Sequence, residues 1–179
     1  MRSLLQFGLF RAALCMCLPT FLPAATLEKL EPSKMIEVAT EIVRGKVLYC
    51  AGTYRPPVIW TNCEIVVSER LKGSGGARVL ISIPGGSASG IRQSYSGAPT
   101  LERDKEYLFF LWQGKSGLKQ IVGLCQGLLT IVKDDKGNLV AFRNKVDERM
   151  VDSSGREVAD VAFRQRLDVL RTSIKGRVQ

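Results

Sequence analysis

Histidine is absent from this chain of 179 residues. Histidine is the usual base in serine and cysteine nucleophile systems, and imidazole is a common ligand of zinc. Histidine-dependent catalytic and zinc sites are therefore excluded. A hydrolase that activates a serine with a lysine needs no histidine and remains as an alternative. Because no such serine and lysine stand out as a pair, we assign no catalytic residue.

Cysteine is scarce, with five residues in the chain. Cys15 and Cys17 lie near the start, and Cys50, Cys63 and Cys125 contain no CxxC pair, which disfavours a zinc site built from cysteine alone. The segments with Cys50 and Cys63 flank a turn, so these residues can lie opposite each other on neighbouring strands. One interpretation is a Cys50–Cys63 disulfide, and the other is three buried thiols that act as small hydrophobic side chains.

A phosphate-binding loop is also lacking, although residues 85–90 read GGSASG. The dinucleotide and nucleotide fingerprints need a helix directly after the glycines, whereas IRQSYSGAP follows here. The acidic pair Asp134 and Asp135 lacks the spaced ligands of a calcium loop. We interpret both segments as turns and predict neither a metal site nor a cofactor.

The first 25 residues have the features of a secretory signal peptide. These features are a basic start, an apolar run and small residues before the cleavage site: Arg2 and Arg11, residues 12–22, and Pro23, Ala24 and Ala25. We predict cleavage after Ala25, or alternatively after Ala24, and export to the periplasm or the cell exterior. The other interpretation is a retained membrane anchor, which Arg11 and Pro19 disfavour because an anchor needs about 20 apolar residues. We predict no transmembrane segment in the mature chain.

The formal net charge is +9, and removal of the first 25 residues, which hold two arginines and no acid, reduces it to +7. A basic surface can attract nucleic acid, anionic lipid or acidic polysaccharide, or it can serve solubility alone. Because an exported protein seldom meets nucleic acid, we favour a protein or a polysaccharide as the partner.

Residues 41–143 show the two-residue hydrophobic period of β-strands. The predicted strands cover residues 41–51, 61–73, 77–83 and 106–113, followed by a strand in 118–123 and a hairpin over 126–143. Gly45 predicts a bulge or a tight bend of the barrel, and Pro84 is expected to end the third strand. The fourth strand is apolar on both faces, which predicts a central position and places Trp112 in the core.

Two helices flank the predicted strands. Ser33 is expected to cap a short helix, and Asp160 is expected to cap an amphipathic helix over residues 161–174. The pattern predicts a mainly β fold: an OB-like antiparallel β-barrel with a short N-terminal helix in residues 26–143, then a polar linker and the C-terminal helix in residues 144–179. A β-sandwich is the alternative on strand count.

Five segments in order, IVRGKV, TNCEIVVSERLKG, VLISIPGG, SGAPTLERDKEYLFFL and VGLCQGLLTIV, resemble small exported bacterial proteins of unassigned function with an OB-like barrel. The resemblance covers residues 35–133. More distantly, the order of features resembles the netrin-like barrel of tissue inhibitors of metalloproteinases. Those inhibitors act through a mature N-terminal cysteine, whereas the first cysteine after residue 25 is Cys50 here. The second resemblance therefore implies a fold and not a mechanism.

Residues 85–103 form a long predicted connection, and loops beyond about 12 to 15 residues are usually functional or disordered. OB-like barrels bind oligonucleotides or oligosaccharides with the help of aromatic side chains. We therefore predict Arg92, Gln93 and Tyr95 as ligand-contact residues. The predicted function is an exported non-catalytic binding module, and the alternatives are a protease inhibitor and the serine–lysine hydrolase.

Overall fold

The computed structural model describes residues 26–178, so the predicted signal peptide lies outside the described residues. The elements in chain order are β1 Thr26–Glu28, α1 Pro32–Val38, β2 Glu41–Arg55, β3 Val58–Lys72, β4 Arg78–Pro84, β5 Gly86–Ala88, β6 Ile91–Gln93, β7 Glu106–Gln113, β8 Lys119–Ile121, β9 Leu128–Lys133, β10 Leu139–Arg143, β11 Arg149–Val151, β12 Glu157–Val158, β13 Phe163–Arg166 and α2 Leu167–Val178. The prediction of a mainly β fold is confirmed.

The main sheet has the strand order β13-β10-β9-β7-β2-β3-β4, and β8 pairs with β7 beside this path. Neighbouring strands in this sheet are antiparallel. Two small sheets accompany it, one of β1, β11 and β12 and one of β5 and β6. The sheet bends so that β4 runs close to β8. Across the described residues no sheet is closed into a barrel, because β4 and β8 are not hydrogen-bonded neighbours.

The curved part of the sheet encloses one hydrophobic cluster, named here the inner cluster. It consists of Val43, Val47, Cys63, Ile65, Val79, Ile81, Ile83, Tyr107, Phe109, Leu111 and Ile121. All of these residues come from β2, β3, β4, β7 and β8. The five strands therefore share a single apolar interior.

A second cluster lies between the sheet and the two helices. Its members are Met35, Ile36, Ala39, Ile42, Leu71, Leu108, Phe110, Val122, Leu129, Ile131, Ala141, Leu167, Leu170 and Ile174. Strand β7 contributes alternate residues to the two clusters, Leu108 to this one and Phe109 to the other. The predicted central position of this strand is confirmed. Trp112 is an exception because it lies beyond the doubly covered part of β7 and is 39% exposed, so its predicted core position is wrong.

Helix α1 begins one residue before the predicted cap. Pro32 is its first residue, and Glu31 occupies the cap position without a side-chain hydrogen bond. The predicted capping role of Ser33 is therefore wrong, since proline with its fixed φ already starts the helix. At the other end, the Lys72 ammonium donates hydrogen bonds to the carbonyl oxygens of Ile36 (2.7 Å) and Glu37 (3.1 Å). A cation at this end also complements the helix dipole.

The C-terminal helix begins later than predicted. Residues Phe163–Arg166 form β13, which pairs with β10, and α2 starts at Leu167. Asp160 is not a helix cap, because its carboxylate pairs with the Arg143 guanidinium (2.5 Å) and accepts a hydrogen bond from the Val146 N–H (2.8 Å). The predicted start at residue 161 is wrong because pairing with β10 favours an extended conformation there.

The segment predicted as a polar linker contains two short strands. Strand β11 pairs in parallel with β1 at the start of the described chain, and β12 pairs with β11. Met150 of β11 is only 2% exposed. These strands are three and two residues long, and such lengths leave no readable hydrophobic period.

The β2–β3 hairpin extends past the inner cluster. Residues 49–57 at its end are exposed, whereas Val47 and Cys63, the register partner of Cys50, are buried. The predicted bulge is confirmed by a register shift between Arg44 and Gly45. A Cβ atom at Gly45 would lie 2.5 Å from the Val66 carbonyl oxygen, so only glycine fits at this position of β2. The protruding end supplies one wall of the site described next.

Candidate ligand-binding site

The long connection after β4 contains the β5–β6 hairpin, which packs against the protruding end of β2 and β3. Two glycines allow this close approach. A Cβ atom at Gly52 would lie 1.9 Å from the Ser87 carbonyl oxygen, and one at Gly86 would lie 2.2 Å from Thr61 Oγ1. The glycine-rich sequence therefore permits backbone contact between the two hairpins, in addition to forming turns.

Gln93 joins the β5–β6 hairpin to the β2–β3 hairpin. Its Oε1 accepts a hydrogen bond from the Ile59 N–H (2.6 Å), and its Nε2 donates one to the Pro57 carbonyl oxygen (3.0 Å). Both ends of the side-chain amide are thus engaged by backbone groups. We assign Gln93 a positioning role in the site.

The second half of the connection covers the end of the inner cluster. Ala98 and Leu101 pack against the cluster from this side. The Gly97 N–H donates to the Glu148 carboxylate (2.7 Å), and the Gly97 carbonyl accepts from the Cys125 N–H (3.1 Å). Contacts at several points therefore hold residues 85–101 in place.

A cavity of about 270 Å³ lies between this connection, the end of β4 and the hairpin. We call it the loop cavity. It is lined by Cys50, Thr61, Cys63, Ile83, Pro84, Gly85, Gly86, Arg92, Gln93, Ser94, Tyr95, Ala98, Pro99, Thr100 and Leu101. Cys63 is fully buried and Ile83 is 5% exposed, so they form an apolar floor where the inner cluster ends.

Arg92 is the one charged residue that lines the loop cavity. Within residues 26–178 its guanidinium takes part in none of the ion pairs or side-chain hydrogen bonds, and the side chain is exposed. Tyr95, which is 41% exposed, lines the same cavity. Ser94 and Thr100 add exposed hydroxyl groups to the lining. The walls thus combine a cation, an aromatic ring and hydroxyls.

A disulfide between Cys50 and Cys63 forms part of the wall of the loop cavity. The two residues are direct partners in the β2–β3 register, with 4.1 Å between their Cα atoms. Cys125 is a free cysteine that is partly buried. Burial raises the pKa of the Cys125 thiol, so this group stays protonated at neutral pH.

Residues 26–178 contain no cluster of three or more cysteine, aspartate or glutamate side chains that could hold a metal ion. In the same range, lysine ammonium groups donate to carboxylates and backbone carbonyls, and none donates to a serine hydroxyl. Neither α1 nor α2 has the length and apolar character needed to cross a membrane.

The structure places Arg92, Gln93 and Tyr95 on one cavity, together with both disulfide cysteines. Sequence reasoning missed the remaining lining residues, such as Thr61 and Ile83. These two are direct partners in the β3–β4 register, which local periodicity does not specify. A comparison of the chain with protein-family models finds no match, and a search of the curated proteins finds none either.

Proposed function

We propose that the chain is an exported, non-catalytic binding module and that the loop cavity is its ligand-binding site. The observation that carries this proposal is that Arg92, which is exposed and has no ion-pair partner in the described chain, and the exposed Tyr95 line the same cavity. An exposed cation without a partner can bind an anionic group of a ligand at little cost in desolvation. A protein or a polysaccharide of the cell envelope is the expected partner.

We also propose that the five strands around the inner cluster represent an OB-like, partly open barrel. In support, β2, β3, β4, β7 and β8 share one interior, and β4 runs close to β8. An OB-like barrel would also agree with the resemblance of the sequence to small exported proteins of unassigned function. OB-like barrels bind ligands with the loops and one face of the barrel, which agrees with a site at the end of this sheet.

The proposal is tested by affinity capture from the envelope and medium of the exporting cell with residues 26–179 as bait. Capture is compared among the wild type, a double variant Arg92→Gln/Tyr95→Ala and the control Lys115→Gln. Lys115 is exposed in the β7–β8 turn and does not line the cavity, so the control removes one positive charge elsewhere.

We expect the wild type and the Lys115 control to retain the same protein or polysaccharide and the double variant to lose it. Equal retention by the double variant would contradict a site at the loop cavity. Turnover of a substrate by the purified protein, abolished by a single side-chain change, would contradict a non-catalytic function. Retention of a protease would favour the inhibitor alternative.

A further inference from the structure

The charge of the loop cavity restricts the class of ligand. Its lining contains one arginine and no aspartate, glutamate or lysine. An anionic group can therefore enter without meeting a like charge. A single cation suits a ligand that places one negative charge in the cavity at a time.

The shape of the guanidinium favours a carboxylate. Arginine presents its N–H donors in a planar fork that can bind both oxygens of a carboxylate. The exposed hydroxyls of Ser94 and Thr100 lie in the same lining and can hydrogen-bond to further polar groups of the ligand. These groups together suit a ligand that carries both a carboxylate and hydroxyl groups.

The ring of Tyr95 and the size of the cavity point to a sugar. A volume of about 270 Å³ lies just below the usual range for small-molecule sites, roughly 300–1,000 Å³, so it suits one ring and not an extended ligand. An exposed aromatic ring offers an apolar face on which a sugar ring can stack while its hydroxyls remain hydrated.

The tip of the β2–β3 hairpin lies close to the β5–β6 hairpin, because Gln93 Nε2 donates a hydrogen bond to the Pro57 carbonyl oxygen (3.0 Å). Arg55 is exposed at this tip, and within the described chain it has no ion-pair partner. The mature chain also carries a net charge of +7 after removal of the two arginines in its first 25 residues. A polymer with repeated carboxylates would be attracted by this charge over a distance set by the ionic strength.

We propose that the loop cavity binds one uronic acid ring of an acidic polysaccharide. Arg92 pairs with the sugar carboxylate, and Tyr95 stacks on the ring. The inference rests on the proposed function and names the ligand class of the same site. No bond is made or broken, so binding leaves the polymer unchanged.

The test is a calorimetric titration of residues 26–179 with oligogalacturonate, with its methyl ester and with dextran sulfate. The methyl ester keeps the sugars and removes the charges, and dextran sulfate supplies charge without carboxylates. The variants are Arg92→Gln, Arg92→Lys, Tyr95→Ala and the control Lys115→Gln, each with its fold checked by thermal unfolding.

We expect oligogalacturonate to bind and the methyl ester to bind about two- to fivefold more weakly, because the ion pair with an exposed arginine is lost. Arg92→Gln and Tyr95→Ala should each weaken binding of oligogalacturonate by a similar factor. Arg92→Lys should weaken it as well, since lysine lacks the planar fork. Lys115→Gln should bind like the wild type.

Equal binding of the methyl ester or of dextran sulfate, or equal losses from the Arg92 and Lys115 variants, would overturn the inference. Absence of binding to oligogalacturonate would also overturn it. In that case, capture of a protein that depends on Arg92 and Tyr95 would leave the proposed binding function standing. If oligogalacturonate does not bind and no partner is captured through Arg92 and Tyr95, both proposals are overturned.

Discussion

Gly52 and Gly86 are the residues whose lack of a side chain brings the β5–β6 hairpin against the β2–β3 hairpin. Each lies where an added Cβ atom would collide with the other hairpin, at 1.9 Å and 2.2 Å respectively. Gln93 then ties the two hairpins together through two hydrogen bonds to backbone groups. These three residues therefore hold the two hairpins together at the loop cavity, which Gly86 and Gln93 also line.

Substitution of Gly52 by alanine is expected to push the β5–β6 hairpin away from β2. Overpacking of this kind costs about 1–3 kcal/mol in the free energy of unfolding. Urea unfolding measures this cost, and limited proteolysis should show faster cleavage in residues 85–95. The control is Gly76→Ala, because a Cβ atom at Gly76 would have no neighbour within 4 Å. Equal stability of the Gly52 and Gly76 variants would show that the two hairpins do not need the close approach.

Helix α2, the last element of the described chain, packs against the second cluster. Leu167, Leu170 and Ile174 are at most 1% exposed on its inner face. Arg171 on the same helix donates two hydrogen bonds, of 2.7 and 2.6 Å, to the carboxylate of Glu69 in β3. An apolar stripe and an ion pair thus fix the helix to the sheet.

Truncation of Leu170 to alanine removes buried volume from the second cluster. The expected loss in the free energy of unfolding is about 2–5 kcal/mol, as for other buried leucines. The matched control is Val169→Ala, since Val169 is the preceding residue of the helix and is 47% exposed. Chemical unfolding curves compare the two variants with the wild type. A similar small loss in both would contradict the packing of α2 against the cluster.

The Glu69–Arg171 pair makes the docking of α2 depend on pH. Hydrogen bonds from Arg171 hold the pKa of the Glu69 carboxyl below its ordinary value. A lowered pKa in the folded state adds stability above the pKa of the unfolded chain, about 4.3 for glutamate. This stability is lost as the pH falls through the folded-state pKa.

We expect the stability difference between the wild type and Arg171→Gln to be largest near pH 7 and to shrink as the pH falls below about 4. Free energies of unfolding measured across this range for both proteins give the difference. Lys115→Gln is the control, because Lys115 is exposed and takes part in none of the ion pairs of the described chain. A difference that stays constant down to the lowest pH would contradict the role assigned to Glu69.

At the scale of the whole molecule, the proposed export would place the chain where disulfides can persist. The Cys50–Cys63 disulfide joins residues 13 positions apart in sequence at the end of the sheet, while Cys125 remains a thiol. The chain-entropy account gives a crosslink over so short a loop about 3 kcal/mol of stabilisation. The disulfide therefore crosslinks the two strands that form one wall of the loop cavity.

Thiol counting tests this oxidation state. Residues 26–179, purified without reductant and denatured, should give one reactive thiol, and reduction should raise the number to three. Cys125→Ser should give none before reduction. The thiol of folded protein should react slowly, because burial raises the pKa of Cys125 and covers part of its surface. Three thiols before reduction would contradict the disulfide.

Local sequence patterns correctly predicted those elements in which burial stays the same from one end of the element to the other. Strand β7, Glu106–Gln113, has its predicted bounds because burial on both faces leaves a continuous apolar run. The start of α2 was missed because Phe163–Arg166 is extended only through pairing with β10, which is distant in sequence. The hydrophobic spacing around Phe163 fits a helix, but pairing of Phe163 with Arg143 of β10 makes this residue part of an edge strand.

The site was predicted in part for the same reason. Arg92 and Tyr95 belong to the long connection after β4, and the length of that connection identifies it as a candidate for binding. Thr61 and Ile83 face the same cavity only because β3 and β4 pair in one particular register. A shift of one residue would turn either side chain to the other face of the sheet.

The most direct test of the binding site is photo-crosslinking from the loop cavity. Tyr95 is replaced by p-benzoylphenylalanine in the full chain expressed in its native cell, and Tyr49 is replaced in a control. Tyr49 is 50% exposed on β2 but does not line the cavity. We predict that irradiation attaches a protein or polysaccharide to position 95 and not to position 49. Equal adducts at both positions, or an adduct at position 49 alone, would contradict a binding site at the loop cavity.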